Sequence, residues 1–168
     1  MNGTDVAYLA GLVDGEGYIG IKKSKAYACQ GRVTPGYHAR IQVRMVDEQA
    51  IQFLTETLGG TYYKEKPHAT NGRPLFCYSA SDVKAEHILW TLLPYLRVKR
   101  AVARKVLVLC RLKRRGSRHR TRITGYRNFA NAYGTPRRVA NLAFSAEYVN
   151  WCDALWQQCK QLNKVGAA

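Results

Sequence analysis

Acid is scarce in this chain. Eleven Asp and Glu stand against 27 Lys and Arg over 168 residues, for a net charge of +16. That excess points to a polyanionic partner, nucleic acid before any other. An anionic membrane surface is the rival, but no basic amphipathic helix stands alone to lie on one. No apolar run approaches the roughly 20 residues of a membrane span. The first residues, Met1 to Asp5, lack both a charged start and an apolar signal core. The expected location is therefore intracellular: a prokaryotic cytoplasm, or an organelle that encodes the gene. The five cysteines (Cys29, Cys77, Cys110, Cys152, Cys159) are odd in number, and none is two residues from another. Neither a disulfide framework nor a zinc knuckle is expected. His38, His68, His87 and His119 have no ligand spacing. No internal repeat is visible.

What is present is a chain with 46% hydrophobic residues, enough for one domain with a sizeable core. A helix capped by Thr4 or Asp5 runs to about Asp14, and a strand follows over Tyr18 to Lys23. Tyr37 to Met45 alternates, with Ala39, Ile41, Val43 and Met45 on one face. His38, Arg40, Gln42 and Arg44 take the other. Asp47 caps a helix that stops at Gly59-Gly60. Strands are predicted over Thr61 to Lys66, with Tyr62, Lys64 and Lys66 on one side, and over Arg73 to Ser79. Asp82 caps a helix broken at Pro94, and another helix ends near Leu112. Up to Pro94 the order is α-β-β-α-β-β-α, an α+β fold whose core extends over about residues 4–112. Residues 113–168 add a basic loop and a final apolar-striped helix from Ser145 to Asn163. Gly116, Ser117, Gly125, Gly134 and Pro136 argue for loop in the basic stretch, which carries Arg118, Arg120, Arg122, Arg127, Arg137 and Arg138.

One stretch carries a sharper signal: Leu9-Ala10-Gly11-Leu12-Val13-Asp14-Gly15-Glu16-Gly17. Gly11 and Gly15 share a helix stripe and leave room for another backbone. Two acids close the helix. These nine residues resemble the LAGLIDADG motif of homing endonucleases, with Val13 for isoleucine and Glu16 for the second aspartate. A second segment, Pro94-Tyr95-Leu96-Arg97-Val98-Lys99, is similar to the family's lysine-bearing stretch.

The resemblance implies a four-stranded antiparallel saddle that binds double-stranded DNA. A single motif implies a homodimer whose motif helices pack at Leu9, Gly11, Leu12 and Gly15. Glu16 and the Gly15 carbonyl would then hold Mg²⁺, or another divalent cation such as Mn²⁺, at the centre of the site. Glu16 and Lys99 are the expected catalytic residues, Asp14 is mainly structural, and Arg97 is a positioning neighbour. Lys22, Arg40, Gln42, Arg44, Tyr62, Lys64, Lys66 and Arg73 are the expected DNA contacts, with arginine and lysine suited to guanine and glutamine to adenine. The implied activity is hydrolysis of both strands at a long, near-palindromic site, leaving short 3′ overhangs. Where the family often carries a water-holding glutamine, this chain has Met45, with Arg44 beside it. That departure leaves two alternatives on the same fold: an RNA maturase, or a DNA-binding regulator that does not cut. The basic stretch after Leu112 is expected to reach phosphates flanking the core site.

Overall fold

The computed structural model describes residues 2–26, 33–66, 72, 74–115, 122–130 and 136–165. Cys29, His68, Arg73, Gly116, Ser117, Arg118, His119, Arg120 and Gly134 lie outside the described residues. Helix α1 spans Gly3–Glu16, followed by β1 (Gly17–Ser24), β2 (Gly36–Met45) and α2 (Glu48–Leu58). Strands β3 (Thr61–Lys64) and β4 (Phe76–Ser81) lead to α3 (Asp82–Leu92) and α4 (Arg100–Arg115). A hairpin, β5 (Arg122–Ala130) and β6 (Pro136–Ala143), precedes α5 (Ala146–Val165).

Local chemistry explains the helix boundaries. Asn2, not Thr4 or Asp5, caps α1: its side chain accepts the Asp5 N–H at 2.7 Å. Asp47 caps α2 as expected, accepting the Ala50 N–H at 3.2 Å. Gly59 and Gly60 end that helix at φ +68° and +124°, where a side chain is strained. A Cβ on Gly60 would also fall 2.6 Å from the Tyr78 ring. Asp82 does not cap α3. Ser81 takes that position without a side-chain hydrogen bond, and Asp82 adopts φ 49° with its carboxylate turned elsewhere.

The four strands form one antiparallel sheet in the order β1-β2-β4-β3. The helices line one face of it. Leu9 and Val13 of α1, Ile51 and Leu54 of α2, Leu89 and Leu92 of α3, and Val106 and Leu109 of α4 are all fully buried. They meet Ile19, Ala39, Ile41, Val43 and Tyr78 from the sheet. Each such aliphatic side chain contributes about 1.5–3 kcal/mol by leaving water. The alternation anticipated for β2 holds: Ala39, Ile41 and Val43 are at 0% exposure, and Met45 packs against the core.

Helix α5 covers the β1 edge, where Asn163 donates to the Ile19 carbonyl at 3.0 Å. Lys23 reaches Asp153 of α5 at 2.5 Å. The basic stretch is not a loop throughout. Residues 122–130 and 136–143 pair as an antiparallel ribbon, with a bulge between Ile123 and Gly125. Gly125 serves that bulge, and Pro136 is the first residue of its strand, so neither breaks the ladder. Cys77, Cys110, Cys152 and Cys159 are free and buried. Among the described residues no helix is long and apolar enough to cross a membrane.

Candidate nucleic-acid and metal site

The end of α1 is clamped to the start of α4 by two reciprocal contacts. The Asp14 carboxylate accepts three backbone N–H groups at the entrance to α4: Arg97 at 2.6 Å, Val98 at 3.1 Å and Lys99 at 2.8 Å. Lys99 answers by donating its ammonium to the Val13 carbonyl at 3.1 Å and to the Asp14 carbonyl. An anion thus sits at one helix N-terminus and a cation at another helix's C-terminus, both matching the helix dipoles. Burial pushes the Lys99 ammonium below its ordinary range, and the charges of Asp14 and Glu16 oppose that shift.

The clamp places what comes next. Glu16 is exposed at the last residue of α1 and makes no hydrogen bond or ion pair within the described residues. Gly17 then turns into β1, its N–H donating to the Val13 carbonyl. A Cβ at Gly17 would fall 2.6 Å from that carbonyl oxygen and 2.9 Å from the Val13 Cα, so the last glycine of the motif is required by backbone contact. Gly17→Ala is expected to cost about 1–3 kcal/mol and to displace Glu16. Thermal unfolding checks the first effect; for a chain of this size it reads as roughly 2–4 °C per kcal/mol.

Gly11 and Gly15 behave differently. A Cβ at either would meet nothing within 4 Å, so this chain's own packing does not demand them. They lie with Ala7 and Tyr8 on the exposed side of α1, and no charged residue occurs between Asp5 and Asp14. An uncharged helix face left in water is unusual. Leu12 is half-buried beside it. Leu9 was expected on this seam but is at 0% exposure, committed to the core of its own chain. It sits on the helix side that turns inward with Val6, Ala10 and Val13.

The sheet face away from the helices collects side chains that the pairing register defines. Lys22 lies opposite His38 and Gly20 opposite Arg40, while Gln42 and Arg44 pair with Ser79 and Cys77 of β4. Lys22, Arg40, Gln42 and Arg44 therefore share one face, as expected. Tyr62 and Lys64 do not. They pair with Tyr78 and Phe76, which point into the core, so it is Thr61 and Tyr63 that share the outer face with Gln42 and Arg44. Tyr62 packs against the core and donates its hydroxyl to Glu48, and the Lys64 ammonium sits 5.5 Å from the Phe76 ring centre. Lys66 is exposed beyond the strand end, and Arg73 is outside the described residues.

Arg44 is ion-paired with Glu65, which raises the already high guanidinium pKa further. Gln42 donates to the Cys77 sulfur at 3.0 Å. Tyr18 and Tyr63 were not singled out from sequence, yet both belong to this face, as does His38, which the alternation of β2 had already put there. Only the register could have found Tyr63, because a four-residue strand is too short to show a period.

Among the described residues no group of three or more His, Cys, Asp or Glu could hold a metal within one chain. The arrangement comprises a capped helix end with one free carboxylate, an uncharged helix face and a basic, hydrogen-bonding sheet. It can place single carboxylates from two copies side by side over a polyanion. No family model matches the chain, and neither does any curated protein. Solved structures do match. The homing endonuclease I-CvuI, in complex with the I-CreI target in the presence of 2 mM Mg with the DNA not cleaved, aligns at TM-score 0.66 and 20% identity. That alignment covers 96% of this chain and 85% of that one. The meganuclease I-SmaMI bound to uncleavable DNA aligns at TM-score 0.64 and 16% identity, over 93% of this chain but only 45% of I-SmaMI. The archaeal intron-encoded I-Vdi141I, complexed with DNA, aligns at 0.54 and 15%, over 67% and 70%. The chain has the LAGLIDADG homing endonuclease fold, a four-stranded antiparallel sheet backed by helices.

Proposed function

We propose that two copies of this chain form a site-specific endonuclease that cuts both strands of a long, near-palindromic DNA duplex, leaving short 3′ overhangs. The observation that carries this is the free Glu16 carboxylate, held by the Asp14–Lys99 clamp at the end of an uncharged helix face and next to a basic sheet. Packing α1 on its partner through Gly11, Leu12 and Gly15 brings the two Glu16 side chains to the dyad. Two I-SmaMI-like units supplied by two chains are consistent with the 45% of that protein that one chain covers.

Two carboxylates brought together over phosphates repel unless a cation lies between them. Glu16 fits a hard divalent cation: it is an oxygen donor, exposed and, among the described residues, without a hydrogen bond or ion pair. The Gly15 carbonyl, in the last turn of α1, has no following turn to bond it and is the second donor of the set. Mg²⁺ or Mn²⁺ so held would activate water and offset charge on the phosphate oxygens. Asp14 and Lys99 fix the position of those donors, and Lys99 adds positive charge close to the scissile phosphate. Lys22, Arg40, Gln42 and Arg44 contact the duplex, and Arg44 exchanges Glu65 for DNA on binding.

Met45 favours one other outcome, binding without cutting. Val43 pairs with Gly17, so Met45 ends β2 near the α1 terminus, and its side chain packs against the core and cannot hold water. Arg44 points to the other face and does not replace a water-holding group. Met45→Gln is expected to raise single-turnover cleavage by about tenfold at unchanged DNA affinity, the usual scale for one positioned polar group. An unchanged rate would mean that water is held elsewhere. Incubating the purified protein with target-containing duplex and Mg²⁺ tests the main reading, with double-strand cleavage as the expected result.

A further inference from the structure

Strand β1 leaves α1 at Gly17 and alternates at once. Ile19 and Ile21 turn to the core, at 0% and 2% exposure, so Tyr18, Gly20 and Lys22 take the open face of the sheet. Gly20 is nevertheless buried, and Tyr18 is what covers it. A Cβ at Gly20 would fall 2.3 Å from the Tyr18 hydroxyl and 2.6 Å from the ring carbon that bears it. The tyrosine therefore lies along its own strand with its ring end over the glycine, and 41% of it stays exposed. Gly20 faces Arg40 across the β1–β2 ladder. Burial raises the Tyr18 phenol pKa, the Cys159 thiol adds to that, and the Arg40 charge opposes it, so the hydroxyl and the guanidinium are neighbours. Among the described residues Arg40 makes no ion pair, unlike Arg44, and its Nε is buried without a hydrogen-bond partner.

We propose that Tyr18, seated over Gly20, is a positioning residue that aims the Arg40 guanidinium at one guanine in the inner part of each half of the DNA site. The proposal rests on the open sheet face being the DNA-binding face. Arginine reads guanine with two N–H groups, on O6 and N7, so the fork must be held in one orientation. The glycine opposite Arg40 leaves a space into which a long side chain would otherwise fold, and the Tyr18 ring end fills it. A guanidinium so confined loses less freedom when it binds. Gly20, with Arg40 opposite, comes four residues after Glu16, about 13 Å along a strand. The guanine is therefore a few base pairs from the cut rather than at the outer end of the half-site, and a twofold dimer reads it twice.

The test is selection of bound duplexes from a randomised DNA library, without divalent cation so that nothing is cut. Wild type is expected to prefer guanine at one symmetric pair of inner positions, and Arg40→Ala to lose that preference. Gly20 has no positive φ, and only the far end of Tyr18 stands where its Cβ would go, so Gly20→Ala should fold and push the ring aside. Gly20→Ala and Tyr18→Ala are each expected to lower the guanine preference at that pair about tenfold and to leave other positions unchanged. Tyr18→Phe keeps the ring and should keep the preference. Because the glycine acts only through the tyrosine, the double variant should be no worse than Tyr18→Ala alone. Full wild-type preference in Tyr18→Ala overturns the proposal, as does a change at positions other than those that Arg40→Ala affects. Additive losses in the double variant overturn it too. Should Gly20→Ala fail to fold, the Tyr18 and Arg40 variants decide by themselves. A wild-type protein that selects no sequence overturns the DNA-binding reading itself, and this proposal with it.

Discussion

Glu16→Gln leaves target binding within about threefold of wild type and lowers cleavage by about 10³-fold or more, the scale of losing a group that acts on charge in the transition state. The amide keeps the size of the side chain but loses the charge that a cation needs. Among the described residues Glu16 makes no hydrogen bond or ion pair, and its charge acts within the fold only at a distance, on the Lys99 ammonium. In the proposed dimer the substitution removes both carboxylates at once, and among the described residues of one chain no group of three or more His, Cys, Asp or Glu could hold a metal instead. Without metal, binding should strengthen slightly, since two anions no longer face the phosphates. Single-turnover cleavage and fluorescence anisotropy separate the two effects. Retained cutting would remove Glu16 from the metal site.

Asp14→Ala should destabilise the folded chain by about 3 kcal/mol, which for a chain of this size is a fall in Tm of about 6–12 °C. Three backbone N–H groups lose a charged acceptor, and Lys99 loses the anion that faces it. A helix cap is ordinarily worth about 1 kcal/mol, and hydrogen bonds to a charged group about 1.5–3 kcal/mol. Partial exposure of Asp14 lets water replace some of this, which keeps the total near the low end of their sum. Asp14→Asn retains acceptor capacity through one oxygen and should cost about half as much. Both variants should also cut more slowly at temperatures where they remain folded, because the clamp that positions Glu16 is loosened. Calorimetry together with cleavage kinetics below the transition distinguishes a positioning role from a purely structural one. If cleavage per folded molecule is unchanged, the clamp supports the fold only.

The nine-residue motif and the alternation in β2 made the fold legible. A helix of small residues ending in acids, and a strand with four apolar positions in phase, leave few alternatives. Where sequence reading went astray, the deciding interactions were non-local. Tyr62 and Lys64 share the helix-side face with Tyr78 and Phe76, where Tyr62 packs against the core and Lys64 stays exposed, a register no local pattern reveals in a short strand. Leu9 and Gly11 both looked like seam residues, but only burial shows that Leu9 belongs to the inner side. Asp82 has a capping residue's chemistry and place, yet its carboxylate is claimed by His38 and Lys113 from elements 44 and 31 residues away in sequence. The β5–β6 ribbon was hidden by glycine and proline that serve a bulge and a strand start rather than a loop.

The pairing of two chains through α1, with Glu16 of each at one cut site, is tested most directly by cleavage of a randomised duplex library with purified protein and Mg²⁺, sequencing both ends of every product. The expected result is one long, near-palindromic family of sites cut on both strands, with short 3′ overhangs centred on the dyad. Bound sites recovered intact on both strands, or cuts without twofold symmetry, would contradict it.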